Sequence, residues 1–186
     1  MGWRSDLAVV TVMLVAASSN TLAQSPTYGL GRTPAPEEIR ARDISIRPDG
    51  KGLPPGQGTA KEGAAIYKQK CAACHGPDGR GGPARRLVSP KGEEVKREGR
   101  TLANYWPFAT TVYDFINRAM PFRQSGTLKP DEVYALTAYV LYRSDIIRED
   151  EVLDMNSLPK VQMPNRKAFD APPLADWKVG GPRPFK

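Results

Sequence analysis

The chain has 186 residues, a formal net charge of +7, two cysteines and one histidine. These three Cys and His side chains are too few for a structural zinc site, which normally uses four such ligands. The basic balance favours an acidic partner, and no stretch after the N-terminal segment is apolar enough to span a membrane, which takes about 20 residues.

Residues 1–23 have the pattern of a secretory signal peptide. Arg4 stands in a short basic region, residues 7–17 are apolar, and Thr21-Leu22-Ala23 precedes an expected cleavage before Gln24. A retained membrane anchor is the alternative, but the apolar stretch is about half the length that a spanning helix needs. We therefore expect export to the periplasm, a mature chain without a membrane span, and no contact with nucleic acid.

Two segments rich in proline and glycine flank the periodic middle of the chain. Residues 24–58 form the expected N-terminal arm, with a short helix at Pro36–Ala41 and an extended piece at Asp43–Arg47. Residues 149–186 form the expected C-terminal tail, whose six prolines disfavour continuous helix and central strand. The sequence thus predicts one domain at residues 59–148 between two largely irregular ends.

Two long helices are expected to cross within this domain. Thr59-Ala60-Lys61-Glu62 is a capping-box sequence, which predicts a first helix from there to about Cys71. Pro130–Arg143 predicts the last helix, with proline and acidic residues in its first turn and an apolar stripe of Val133, Leu136, Thr137, Val140 and Leu141. Gly63 weakens the first helix unless another backbone must come close. We therefore predict that the helices cross at Gly63.

Both cysteines and the only histidine fall within the five residues Cys71-Ala72-Ala73-Cys74-His75. This pattern is typical of covalent c-type haem attachment, in which two thiols add to the porphyrin vinyl groups and the adjacent imidazole binds the iron. A disulfide or a thioredoxin-like thiol pair is the alternative, but the latter favours a βαβ context and the pattern here is helical. We predict one haem c with His75 as an axial ligand, its other N–H donating to the Gly79–Pro83 loop.

The second axial ligand must be of another type, because there is no second histidine. Thioether sulfur serves in many cytochromes and raises the reduction potential. Outside the signal segment the candidates are Met120, Met155 and Met163, and Met120 lies in a turn before the last helix, next to Pro121. We predict ligation by His75 and Met120, which implies electron transfer. A peroxidase or gas-binding site would need an open iron position.

The segment before Met120 predicts one more helix and part of the haem crevice. The helix is expected at Val112–Ala119, capped by Thr111. Tyr105 and Trp106 are expected to line the crevice, where a hydroxyl or an indole N–H could reach a propionate. Because a domain of about 90 residues has a thin core, the porphyrin should supply apolar mass and the haem-free chain should be largely unfolded.

A basic stretch runs from Arg80 to Arg100, with seven Lys or Arg against three acidic residues. Such a surface would steer an acidic partner by long-range attraction that salt weakens. A merely solvated loop is the alternative.

Residues 59–143 resemble class I cytochrome c domains, an all-α fold around one covalent haem. More narrowly, Tyr105–Phe122 followed by Asp131–Tyr139 is similar to the cytochrome subunit of sulfane dehydrogenase in the Sox sulfur-oxidising system. Three motifs of the arm are similar to that subunit as well: Tyr28–Arg32, Arg47–Gly50 and Gly52–Gly56.

The resemblance implies an electron-transfer subunit without a catalytic site of its own. Its partner would be a molybdenum-cofactor dehydrogenase subunit that oxidises carrier-bound sulfane sulfur, and other redox proteins would accept the electrons. Some members of that family carry two haems, whereas this chain has one attachment motif. Two alternatives stay open: the cytochrome subunit of a sulfite-oxidising molybdoenzyme, and a free soluble carrier. The Pro-rich ends favour docking, because ordering them costs entropy that a fixed partner could offset.

Overall fold

The structure, a computed structural model, describes Tyr28, residues 30–89, Glu93 and residues 99–167. The expected signal peptide at 1–23, its cleavage before Gln24, and the tail from residue 168 lie outside the described residues. No helix within the described ranges is both long and apolar enough to cross a membrane. The chain divides into two compact units, Met1–Ala41 and Arg42–Lys186.

The first unit contributes most of helix α1, Pro36–Arg42. Glu37 and Glu38 stand in its first turn, where negative charge is favourable. The Glu38 carboxylate accepts the N–H of Ala35 at 2.8 Å and pairs with Arg32 at 2.5 Å. The short helix predicted from the sequence is therefore confirmed and ends one residue later than expected.

The second unit is mainly helical, as the predicted all-α class requires, with one two-residue ladder added. In chain order its elements are β1 (Gln57–Gly58), α2 (Ala60–Lys70), α3 (Ala72–His75), α4 (Leu102–Tyr105), α5 (Ala109–Ala119), α6 (Pro130–Arg143), β2 (Leu153–Asp154) and a 3-10 turn (Leu158–Lys160). The bounds of α6 are those predicted from the sequence, and α2 ends at the residue before Cys71.

The start of α2 has the predicted capping box. The Thr59 hydroxyl accepts the backbone N–H of Glu62 at 3.3 Å, and the Glu62 carboxylate accepts the N–H of Thr59 at 2.8 Å. Two of the amide groups that a helix start leaves without partners are thereby satisfied.

Helices α2 and α6 cross at Gly63, as predicted. A Cβ atom at this position would overlap the backbone carbonyl of Ala135 and come within 2.8 Å of the Tyr139 Cβ. One turn further along α2, the Tyr67 ring packs against Tyr139 with 4.8 Å between ring centroids. Only glycine allows the two backbones this approach, which explains a residue that weakens an isolated helix.

We expect Gly63→Val to lower the free energy of unfolding by about 3 kcal/mol, because a rigid backbone carbonyl occupies the space of the new side chain. Urea unfolding of the haem-loaded protein measures this. Ala64→Val is the matched control: Ala64 is exposed on the same helix, and the change should cost less than about 1 kcal/mol of helix propensity. Equal decreases in the free energy of unfolding for the two variants would contradict the close approach of α2 and α6 at Gly63.

Helix α5 starts earlier than predicted. It begins at Ala109 after Phe108, which is extended (φ −133°), so the predicted start at Val112 with Thr111 as cap is wrong. Thr111 already lies within the first turn and donates its N–H to the Phe108 carbonyl at 3.2 Å. A cap-forming residue type therefore sits inside the helix, where its propensity is outweighed by tertiary packing.

The core extends past both predicted ends of the domain, residues 59 and 148. Five buried side chains come from outside those limits: Leu53, Leu153, Leu158, Val161 and Met163. β1 and β2 pair antiparallel, with Gln57 opposite Asp154. Residues 54–57 are held on α6 by two hydrogen bonds. The Tyr134 hydroxyl donates to the Pro54 carbonyl at 2.9 Å, and the Asp131 carboxylate accepts the N–H of Gln57 at 2.8 Å. The described tail has little regular structure, as predicted, but it packs as part of the domain.

Candidate functional site

A cavity of about 620 Å³ lies in the second unit beside α2, α5 and α6. This volume is within the roughly 300–1,000 Å³ of small-molecule and cofactor sites. Its walls are mainly apolar and include Leu87, Leu102, Val112, Ile116, Leu136 and Val140. Leu136 and Val140 belong to the apolar stripe predicted on α6. Part of that stripe therefore forms a wall of this cavity.

Four residues singled out from the sequence line this one cavity: Cys71, Cys74, His75 and Met120. Cys71 directly follows α2, while Cys74 and His75 stand on the single turn of α3. Met120 directly follows α5, where its N–H donates to the Ile116 carbonyl at 3.1 Å. The fold thus brings the thiols, the imidazole and a thioether from two distant segments to one apolar space.

The two cysteines are not joined in a disulfide. Burial raises the pKa of the Cys71 thiol to about 11. Reactive thiols of redox enzymes need the opposite shift, because the thiolate is the nucleophile. The surroundings of Cys71 therefore disfavour the thioredoxin-like alternative.

The His75 ring is oriented by one hydrogen bond. Its Nδ1 lies 2.8 Å from the Arg85 carbonyl oxygen, which can only accept, so Nδ1 carries the proton and Nε2 is left for a metal. The acceptor was expected in the Gly79–Pro83 loop, and that expectation is wrong by two residues. Gly81 and Ala84 donate their N–H groups to the carbonyls of His75 and Cys74, which places the following carbonyl, that of Arg85, against the imidazole.

The other two methionine candidates are placed differently from Met120. Met155 has 44% of its surface exposed, and Met163 is 3% exposed within the hydrophobic core. Neither is among the residues that line the cavity.

The two aromatic residues predicted for the crevice have separate positions. Trp106 lines the cavity and makes an edge contact with Phe115, at 5.5 Å between ring centroids. Tyr105 is not among the lining residues; its ring lies under the Arg100 guanidinium at 4.5 Å, and its carbonyl accepts from the Asn165 amide at 2.5 Å. The sequence reasoning missed Tyr67, which lines the cavity from α2; its helical spacing from Gly63 was the available signal.

Part of the predicted basic stretch is paired within the chain. Arg80 lies 3.4 Å from Asp78, and Arg86 lies 2.7 Å from Glu93 while also donating to the Gly99 carbonyl. Lys91, Lys96 and Arg97 lie outside the described residues. Steering of an acidic partner by this stretch stays a prediction.

Comparisons with known proteins identify a matching family model and a similar solved structure. A family model described as cytochrome c oxidase, cbb3-type, subunit III matches residues 58–140. A chain in the crystal structure of the sulfane dehydrogenase SoxCD from Paracoccus pantotrophus is 35% identical, with a TM-score of 0.70, and the match covers 86% of this chain and 81% of that chain. A search of curated proteins finds no match.

The helical fold, an apolar cavity lined by two thiols, an imidazole and a thioether, and these two matches point to one family. The likeness to the SoxCD chain extends well beyond the residues that the family model matches. The chain belongs to the class I c-type cytochromes, is an electron-transfer haem protein, and resembles the cytochrome subunit of sulfane dehydrogenase.

Proposed function

We propose that this protein is the periplasmic haem subunit of a sulfane dehydrogenase, accepting electrons from a subunit that carries a molybdenum cofactor. It would pass them to other redox proteins during thiosulfate or sulfur oxidation and would have no catalytic site of its own. The observation that carries this proposal is the extent of the likeness to a SoxCD chain, which covers 86% of this chain, whereas the general cytochrome model matches only residues 58–140.

The cavity suits one haem c held by Cys71 and Cys74. The apolar walls match a porphyrin ring, and both cysteine side chains line the cavity within one turn of each other. His75 is held with Nδ1 engaged and Nε2 left for iron, and Met120 supplies the soft sulfur that suits electron-carrying cytochromes. A bound haem would supply reversible one-electron exchange at its iron.

The chain's own residues set the conditions for that exchange. The Arg85 carbonyl fixes the tautomer and orientation of His75. By accepting the Nδ1–H bond it also makes Nε2 more basic, and so a stronger ligand for iron. Around a bound haem the mainly apolar lining would lower the local dielectric, which favours the less charged oxidation state of the iron. With His75 and Met120 both engaged, no position would remain for peroxide or a gas.

A partner-capture experiment tests the proposed role. Full-length tagged protein is isolated from the periplasmic fraction, and the eluate is analysed for molybdenum, for haem and for the N-terminal residue. We expect molybdenum to co-purify and the mature chain to begin at Gln24. A haem-loaded monomer without molybdenum would favour a free soluble carrier, and recovery from the cytoplasm would contradict the export signal.

The ends of the chain can be tested for docking without damaging the domain. Because Leu53 and Met163 are core residues, trimming should spare residues 42–167 and remove only residues 24–41 or 168–186. We expect either deletion to reduce molybdenum recovery while the haem spectrum and the urea midpoint stay unchanged. Full recovery with both deletions would show that the ends do not dock.

A further inference from the structure

Tyr67 joins helix α2 to the loop that follows the attachment motif. Its side chain is 1% exposed and lines the cavity, and its hydroxyl donates to the backbone carbonyl of Gly76 at 2.9 Å. Gly76 is itself buried and directly follows His75. A phenol on one helix therefore holds the residue next to the imidazole.

The loop concerned, residues 76–85, is here called the proximal loop. It turns through glycines in the left-handed region, with φ of 83° at Gly76 and 79° at Gly79. It returns to the motif through two backbone bonds, from Gly81 to the His75 carbonyl at 3.1 Å and from Ala84 to the Cys74 carbonyl at 2.8 Å. Its last residue supplies the carbonyl that accepts from His75 Nδ1. The position of that acceptor therefore depends on how the loop is anchored.

The Tyr67 side chain is held in place by its ring contact and remains a hydrogen-bond donor. The ring is fixed against Tyr139 of α6, at 4.8 Å between centroids. Burial raises the pKa of the Tyr67 phenol far above its usual value, so the hydroxyl stays protonated and remains a donor. Among the described residues the Gly76 carbonyl also accepts the N–H of Gly79, at 3.4 Å, which is a longer and weaker bond than the one from Tyr67.

We propose that Tyr67 is a positioning residue of the haem site: its hydroxyl fixes the proximal loop so that the Arg85 carbonyl stays in hydrogen-bond contact with His75. This inference rests on the assignment of His75 as an axial ligand made above. Tyr67 acts on the site through the loop, and the property it controls is the strength of the Nδ1–H bond, through which a ligand's basicity is tuned.

The test compares two hydroxyl deletions of the same chemistry in the reduced, haem-loaded full chain. Tyr67→Phe removes the bond to Gly76. Tyr134→Phe removes a bond of the same length, 2.9 Å, to the Pro54 carbonyl. Two properties are read by NMR: the proton resonance of His75 Nδ1–H, and the amide exchange rates of Gly81 and Ala84.

We expect Tyr67→Phe to move the Nδ1–H resonance upfield and to speed exchange of the two loop amides by several-fold to about tenfold, the effect of losing one hydrogen bond. Tyr134→Phe should change neither. Unchanged loop signals in Tyr67→Phe would overturn the inference, and so would the same changes in Tyr134→Phe. It would also be overturned if Tyr67→Phe sped amide exchange equally at Val140 of α6, because the effect would then not be confined to the loop. The absorption spectrum of His75→Ala reports on the ligand assignment separately, so failure of that assignment is not confused with failure of the role of Tyr67.

Discussion

Without haem, the chain should lose its cooperative fold. The cavity of about 620 Å³ is walled by residues of the hydrophobic core, among them Val112, Leu136 and Val140. At roughly 24 cal/mol per Å³, leaving such a volume empty costs up to about 15 kcal/mol. That figure is an upper bound, because water enters a cavity that opens to solvent. Even a third of that figure would match the stability of a weakly stable domain, since domains are typically stable by about 5–15 kcal/mol.

The haem-free state is best made by the double substitution Cys71→Ala, Cys74→Ala, produced without haem supply. Far-ultraviolet circular dichroism and urea unfolding measure its helicity and cooperativity, with the haem-loaded wild type as reference. The single variant Cys71→Ala is the control, because it keeps one attachment point and should retain the fold when haem is supplied. Native helicity with a cooperative transition in the double variant would refute the prediction.

Replacing Met120 should open the iron and lower the reduction potential. Thioether ligation raises the potential of a haem iron, and axial ligands move it over about 0.8 V in total. We expect Met120→Ala to lower the midpoint by at least about 0.1 V. The ferric spectrum should also lose the sulfur-to-iron charge-transfer band and become high-spin at neutral pH. Potentiometric titration and absorption spectroscopy measure both effects.

The two other methionines provide controls for this experiment. Met155→Ala alters an exposed side chain, and Met163→Leu keeps the volume of a buried one. Neither change should alter the spin state or the potential, although Met163→Leu could lower stability slightly. Loss of the charge-transfer band in either control, with the band retained in Met120→Ala, would transfer the ligand role to that methionine.

The parts of the fold that could be predicted are those specified by short stretches of sequence. The capping box at Thr59 and the proline with acids at the start of α6 mark helix ends through bonds formed within one turn. Gly63 predicted the crossing because only a close backbone explains a glycine there. The attachment motif placed three cavity residues together because they are adjacent in the chain.

The parts that could not be predicted depend on contacts between distant segments. β1 has two residues, one of them Gly58, so it shows no strand period, and it forms only because β2 lies beside it. Leu153, Leu158 and Val161 lie around Pro159 without a sustained helical or strand pattern, yet all are buried. The acceptor for His75 is a backbone carbonyl, which any residue type could supply, so nothing in the sequence distinguishes Arg85 from its neighbours.

The pairing of β1 with β2 has a consequence for the order of events during biosynthesis. The N-terminal partner of this ladder precedes the attachment motif, while its C-terminal partner and the buried Leu158 and Met163 follow α6. Because Met163 belongs to the core, the core cannot close before residue 163 has been synthesised, and the segment with Cys71 and Cys74 is made well before the residues that complete it.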